Sequence, residues 1–362
     1  MPEPKRKIRV AVVYGGRSSE HGVSVVSAGS VLAALDPDRY DVVPVGITRG
    51  GAWVLTAADP EKLQITGATM PEVESGTAVM LSGDPSVNSL IVVEPGEGAK
   101  ALGSVDVVFP VLHGKFGEDG TIQGLLEMAG VPYVGAGVFA SAAAMDKEFS
   151  KKLLRADGIP VGEYAVLRRG DDVSAVDLEH LGLPVFVKPA RAGSSIGITK
   201  VKRWADLAAA VETALAHDDK VLVEAAVIGR EVECGVIEDD AGRPIASALA
   251  EIRLVRGHDW YDFDAKYIDD ACEFDIPARL PADVTTQVRD LACRAFTALD
   301  GAGLARVDFF VRPDGTVLVN EVNTMPGFTP ISMFARAWAA TGVEYPELVD
   351  RLIASALRRA GR

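Results

Sequence analysis

The sequence predicts an α/β protein whose first third is an open, largely parallel sheet, and three observations carry that reading. Residues 8–14 (IRVAVVY) form a nearly continuous apolar run of strand length, as a strand buried on both faces requires. Gly15-Gly16-Arg17-Ser18-Ser19 follows, then a helical stripe at Val25, Ala28, Leu32 and Leu35. The alternation then repeats, with strands expected at 41–47 and 105–112. A helix after Gly120 buries Ile122, Leu125 and Ala129 and stops at Gly130, with Pro132 beyond. Strand–turn–helix alternation of this kind builds an open α/β sheet.

The chain of 362 residues is long enough for two or three domains. Pattern shifts place the units at 1–134, 135–223 and 224–362. Within the first, 48–104 is turn-rich and shows no legible period. The second opens with helical signals over 138–156, closed by Gly158 and Pro160. A strand at 184–190, a loop at 191–197, a helix marked by Trp204, Leu207, Val211 and Leu215, and a strand at 220–227 complete it. The third has strands at 230–239 and 243–254 and a polar, aromatic stretch at 257–275 without a period. A helix at 284–299 and a hairpin at 304–323 follow.

Composition bounds the partners. Hydrophobic residues make up 48% and charged residues 24%, an ordinary globular balance. Thirty-seven basic against fifty-one acidic side chains give a net charge of −14. No basic footprint is visible, which argues against nucleic acid and anionic membranes as partners. No run approaches the ~20 apolar residues of a membrane span, and the run at 8–14 reads as a strand, not a signal-peptide core. Cys234, Cys272 and Cys293 are too few and too scattered for a disulfide framework. A cytoplasmic protein with inert thiols is expected. An anionic ligand would have to be held by a few placed cations, backbone amides or metal ions.

Several segments could supply them. No P-loop is present. Gly135-Ala136-Gly137-Val138-Phe139-Ala140 fits a dinucleotide fingerprint in letters, but only a few apolar residues precede it and no acidic residue closes a second strand; close helix–strand packing accounts for its glycines. The loop 191–197 carries Gly193, Ser194, Ser195 and Gly197 just after Lys188, and small residues of this kind let amides approach a phosphate. A plain flexible hairpin is the alternative. Lys147, after Asp146, is ambiguous by itself. In the hairpin, Pro313-Asp314-Gly315 marks the turn. A two-residue Asp314-Gly315 loop would set Asp308 opposite Glu321 and Arg306 opposite Asn323. Period two puts Arg306, Asp308 and Phe310 on one face of the first strand and Val319, Glu321 and Asn323 on the same face of the second, a shared face that a four-residue loop also preserves. A three-residue loop breaks that face unless a bulge intervenes. Two carboxylates and an amide oxygen suit Mg²⁺ shared with phosphates; a solvated charged face is the bland alternative. His113, Glu118 and Glu20 sit where open α/β sheets hold ligands, at the carboxyl ends of strands.

In order along the chain, GGRSSEH (15–21), LHGKFGEDGTIQG (112–124), MDK (145–147), VKPARAGSSIG (187–197), EAAVIGREVE (224–233), DAKY (264–267), RVDFF (306–310) and NEVNTMPGFTP (320–330) together resemble the D-alanine–D-alanine ligase family of the ATP-grasp superfamily. The match is weaker over 48–104 and at Gly22, where many members carry Glu. The resemblance implies an N-terminal open α/β domain followed by two α+β subdomains that clasp ATP. It implies Lys147, Lys188 and Lys266 on the phosphates under the Ser194–Ser195 loop, Glu224 and the Val227 backbone on adenine, and Glu231 on ribose. Asp308, Glu321 and Asn323 would bind two Mg²⁺, with Mn²⁺ able to substitute. Glu20 would anchor the ammonium of a first D-alanine, set by Ser194 and Tyr267, with His113 at its carboxylate. Arg306 and the Gly327 amide would face the oxyanion, and Ser332 and the Met333 amide the second D-alanine. The 257–275 stretch would be a lid, and a homodimer the assembly. The implied activity joins two D-alanines, through D-alanyl phosphate, for peptidoglycan precursors. Rival readings are a D-lactate or D-serine acceptor on the same fold, a dehydrogenase using residues 135–140, and an inactive nucleotide-binding regulator.

Overall fold

The structure is a computed structural model, and it describes residues 6–65, 69–87, 89–94, 98–254 and 272–361. Three sheets form its frame. The first has seven strands: β1 (Ile8–Gly15), β2 (Tyr40–Ile47), β3 (Trp53–Leu55), β4 (Thr77–Leu81), β5 (Ser89–Glu94), β6 (Gly98–Ser104) and β7 (Val107–Val111). Their order is β6-β5-β4-β3-β2-β1-β7. β2, β1 and β7 are parallel, as the apolar runs require. The stretch without a legible period is an antiparallel extension of the same sheet. Its edge strand β6 is largely exposed, so it never needed the alternation that would have revealed it.

Period two explains why β1 is apolar throughout. Val10, Val12 and Tyr14 pack beneath helix α1 (His21–Ala34). Ala11 and Val13 face the opposite side, with Ile122 and Leu126 of helix α2 (Thr121–Met128). Helices on both faces leave a crevice at the carboxyl ends of β1 and β7.

The second sheet holds β8 (Tyr164–Arg168), β9 (Val185–Pro189), β10 (Thr199–Val201) and β11 (Lys220–Ala225) in the order β10-β9-β11-β8. Val185, Val187, Val221 and Val223 pack under helix α5 (Leu207–Leu215). The alternate residues Phe186, Lys188, Leu222 and Glu224 therefore share the other face. The third sheet holds β12 (Arg230–Glu238), β13 (Pro244–Leu254), β14 (Cys272–Asp275), β15 (Leu304–Val311) and β16 (Val317–Asn323), ordered β14-β13-β12-β15-β16. Helix α6 (Ala282–Ala298) covers it. The last four residues of the expected lid are thus a paired strand, and 255–271 lie outside the described residues.

The units interlock. The single helical signal over 138–156 is two helices, α3 (Val138–Met145) and α4 (Lys147–Ala156). Their Ala143, Ala144 and Leu154 pack into the core of the third sheet, beside Val307 and Val319. Helices α7 (Met333–Ala339) and α8 (Tyr345–Arg359) return to the first sheet: Phe328, Phe334, Trp338 and Tyr345 share a core with Val10, Val12 and Phe109. The Phe328 ring lies 5.7 Å from Phe109 and 5.4 Å from Tyr345. Arg359 donates to the carbonyls of Tyr133 and Gly135, and a Cβ on Gly303 would sit 2.9 Å from the Gly135 amide nitrogen. Gly135, at φ +104°, serves this junction.

The break between α3 and α4 falls at Asp146, which caps α4 by accepting from the Glu148 and Phe149 amides. Lys220 on β11 donates to both Asp146 oxygens, at 2.7 and 2.6 Å, and to Glu148 at 2.7 Å. All three side chains are buried. Burial alone would raise the Glu148 carboxyl, but Lys152 and Lys220 hold it down to about 2. Lys220→Met strands the buried Asp146 carboxylate and leaves Glu148 to Lys152 and Arg168, and removing one member of such a buried cluster costs about 3–5 kcal/mol. A clear drop in the thermal midpoint is expected; unchanged melting would refute it.

Candidate active site

The hairpin of β15 and β16 reaches the expected pairing by a different route. Arg312 N–H donates to the Thr316 carbonyl at 2.9 Å, so the loop has three residues, Pro313-Asp314-Gly315, not two. Gly315 takes φ +84°, the left-handed residue that such loops use. Phe309 therefore faces Val319, one step out of the simple count. A bulge at Asn320 adds the missing residue, and Asp308 faces Glu321 and Arg306 faces Asn323. The bulge also corrects the face assignment. Val317, Val319 and Val322 all enter the core, so Val319 lies opposite to Glu321 and Asn323, not beside them.

Arg306 grips Asp308 through two bonds of 2.7 Å. Asn323 Nδ2 donates to the same carboxylate at 3.0 Å. From β12, Glu233 stands opposite Asp308 in register and approaches Arg306 at 3.2 Å. Burial alone would lower the Arg306 pKa, but Asp308 and Glu233 raise it well above its ordinary value. Glu231 lies on the same strand face two residues earlier.

Beside the hairpin lies a lysine cluster. Lys147, the first residue of α4, donates to the Ala192 carbonyl at 2.8 Å and lies 3.8 Å from Glu321. It thereby links the 191–197 loop to the hairpin. Lys188 bonds Glu224 at 2.7 Å across β9 and β11, and Lys151, one turn beyond Lys147, approaches the other Glu224 oxygen at 3.4 Å. Burial works to raise the Glu224 carboxyl, yet Lys151 and Lys188 hold it below the ordinary range. Val227 follows in the β11–β12 connection, half-buried.

On the first sheet's rim, Ser194 Oγ donates to Glu20 Oε1 at 2.5 Å. Glu20 is wedged between glycines: a Cβ on Gly114 would meet its carboxylate at 2.5 Å, and one on Gly193 at 3.0 Å. Ser194 and Ser195 hold φ of +49° and +59°, uncommon for non-glycine residues. His113 Nδ1 donates to the Met325 carbonyl at 3.0 Å, and its Nε2 accepts from Ser27 at 3.2 Å. Burial lowers the His113 pKa despite Glu20. Glu118 accepts from the Gly114 amide at 2.7 Å and the Met325 amide at 3.0 Å. His113 and Glu118 together fix the strand-to-loop exit that carries Gly327. Ser332 caps α7, accepting from the Ala335 amide, and Met333 is its first residue. Lys266 and Tyr267 lie outside the described residues.

Burial and the Glu20 charge push the Glu118 carboxyl up to about 8. A raised folded-state pKa means that the native state holds the proton more tightly than the unfolded chain. Stability from this group is complete below its unfolded value and falls as pH rises through the folded one. The slope between those values is at most about 1.4 kcal/mol per pH unit. Glu118→Gln should flatten thermal stability between about pH 4.5 and 8; an unaltered slope would refute it.

Glu233 and Lys151 had no role in the sequence reading, and Glu118 had only its place on the ligand-holding rim of the first sheet. Glu233 was findable, since period two puts it on the Glu231 face and opposite the polar face of β15. Lys151 was not, because a lysine on a helix usually lies in solvent. A cleft of about 260 Å³ opens on the first sheet's rim, lined by Arg17, Trp53, Leu112, His113, Phe116 and Ile122 and by no hairpin residue.

Sequence comparison fits this geometry. The profile described as D-ala D-ala ligase N-terminus matches residues 9–136, and that of the D-ala D-ala ligase C-terminus matches 153–354. The chain belongs to the D-alanine–D-alanine ligase family. A D-alanine–D-alanine ligase of Nocardia farcinica is 60% identical over 357 residues, 98% of each chain. The D-Ala:D-Ser ligase VanG of Enterococcus faecalis superposes with a TM-score of 0.83 at 35% identity, covering 97% of this chain and 100% of that one. The D-alanine–D-alanine ligase of Bacillus anthracis complexed with ATP does so with 0.73 at 27% identity, covering 98% and 99%. The three interlocked sheets are the family's ATP-grasp fold.

Proposed function

We propose that this protein joins two D-alanines to D-alanyl-D-alanine at the expense of ATP, in the supply of peptidoglycan precursors. The observation that carries the reading is the convergence of Asp308, Glu321, Asn323 and Arg306 with Lys147, Lys188 and Glu224 between the second and third sheets. Lys147 and Lys188 would hold the nucleotide phosphates, together with Lys266. Glu224 and the Val227 backbone would read adenine, and Glu231 ribose. The 191–197 loop, with Ser194 and Ser195, would cover the phosphates.

The donor chemistry at the hairpin fits Mg²⁺. Asp308, Glu321 and the Asn323 amide are hard oxygen donors. Three such donors do not fill a Mg²⁺ shell, and water and phosphate oxygens would supply the rest. When bound, Mg²⁺ would neutralise the charge of the transferring phosphoryl group; Mn²⁺ offers the same chemistry.

In the proposed sequence, Glu20 anchors the ammonium of the first D-alanine and His113 lies at its carboxylate. That carboxylate attacks the γ-phosphoryl of ATP, giving D-alanyl phosphate and ADP. Positioning and charge neutralisation do most of the work in such a transfer. The second D-alanine, held at Ser332 and the Met333 amide, then attacks as a neutral amine. Arg306 and the Gly327 amide stabilise the oxyanion, and phosphate leaves. Tyr267 would help set Glu20 and Ser194 and favour an amine acceptor over D-lactate.

The test is phosphate release with ATP, Mg²⁺ and D-alanine, with D-lactate and D-serine as competing acceptors. Release that requires all three and yields the dipeptide is expected. Turnover with D-serine in preference would overturn the acceptor assignment, and a nicotinamide absorbance change would overturn the reaction class.

We also propose three domains at 1–134, 135–223 and 224–362, a cytoplasmic location and a homodimer. Among the described residues no helix is long and apolar enough to cross a membrane. α2 and α3 pack together and expose Leu125, Met128, Val138 and Phe139, an apolar face suited to a second copy. Sedimentation should show a dimer that Met128→Asp with Phe139→Asp dissociates; a wild-type monomer would refute it.

A further inference from the structure

We propose that Lys151 is a positioning residue that holds Glu224 so that Lys188 stays available to an anionic ligand. The inference rests on the reading of this cluster as the ATP site. Lys151 follows Lys147 by four residues on α4, so both project from one helix face. Its side chain is only 3% exposed, unusual for lysine. Its ammonium lies 3.4 Å from Glu224 Oε1 and 5.8 Å from the Tyr164 ring centre. Lys188 takes the other Glu224 oxygen at 2.7 Å.

One buried carboxylate thus stands between two buried ammoniums, and the trio carries a net charge of +1. The surplus decides what Lys188 can do. With Glu224 alone, Lys188 would form a closed neutral pair. Turning toward a phosphate would then strip a buried carboxylate of its hydrogen-bonded cation and leave it only the weaker pull of Lys147, which a low-dielectric site resists. Lys151 removes that obstacle, because Glu224 keeps one cation whichever way Lys188 points. The looser contact belongs to Lys151 and the tighter one to Lys188, so both partners are already in place before any ligand arrives. Burial pulls the Lys151 pKa down, and Glu224 opposes it.

The experiment is a mutant cycle on the full-length protein, read as KM for ATP, KM for D-alanine, kcat and ADP affinity by calorimetry. Lys151→Met should raise the ATP KM and weaken ADP about tenfold or more, with kcat and the D-alanine KM changed less than about threefold. Lys151→Arg, which keeps the charge, should restore most of the loss. In an Glu224→Gln background the same Lys151→Met change should have little further effect, because no carboxylate is left to capture Lys188. Equal losses in both backgrounds, or a lower melting point with ATP KM unchanged, would overturn the proposal. Should Lys151→Met fail to fold, Lys151→Gln takes its place in the same cycle. If wild-type protein does not bind ADP, the ATP-site reading fails as well; if it binds and Lys151 proves indifferent, only this inference falls.

Discussion

Asp308→Asn should lower kcat/KM for ATP-driven phosphate release about 10²- to 10³-fold, a loss typical of removing one preorganised charge-stabilising group, with little change in melting temperature. Two losses combine. The carboxylate receives both Arg306 bonds and the Asn323 bond, so neutralising it frees the guanidinium to turn toward Glu233, 3.2 Å away. The proposed Mg²⁺ site also loses one of its two carboxylates. Stability should hold because Arg306 keeps Glu233 as a counterion and Asn matches Asp in volume. The loss should appear mainly in kcat, and raising Mg²⁺ should recover part of it. Activity within tenfold of wild type at every Mg²⁺ concentration would remove Asp308 from the proposed machinery.

Asp308 also shows how far sequence alone reaches. Counting back from a two-residue turn pairs it with Glu321, and the pairing is right although the turn is not. The three-residue loop and the Asn320 bulge each shift the register by one, and they cancel. Val319 could not be placed this way, because the bulge acts between it and Glu321. The parallel strands were legible because burial on both faces demands an unbroken apolar run. The antiparallel strands between 53 and 104 were not, since their exposed positions accept almost any residue. Helical periodicity revealed that α3 and α4 bury a face, but not that this face belongs to the third sheet. Lys151 and Glu233 were missed for one reason: a charge inside a regular element reads as solvated until a partner from another element covers it. That is also where the cluster between the sheets gets its specificity, because each of its charges is countered from a different strand or helix.

Ser194→Gly and Ser194→Ala should both cost about 10²-fold or more in kcat/KM, as removal of a preorganised hydrogen-bond donor does, and the comparison separates chemistry from backbone. Ser194 sits at φ +49°, where glycine relaxes the chain and alanine keeps the strain of a Cβ. Both variants lose the 2.5 Å hydroxyl bond to Glu20. That bond ties the rim of the first sheet to the loop proposed to cover the phosphates, so a substrate ammonium at Glu20 and a nucleotide under the loop would each sense the other. If the hydroxyl matters, Gly and Ala lose activity alike, with the loss greatest in the KM for the first D-alanine. If the backbone alone matters, Gly keeps wild-type activity. Thermal stability gives an independent check of the geometry: Ser194→Gly should melt no lower than Ser194→Ala, since the left-handed backbone suits glycine although its unfolded chain is freer. A glycine variant with wild-type kcat/KM would leave Glu20 without its proposed partner and detach the loop from the substrate site.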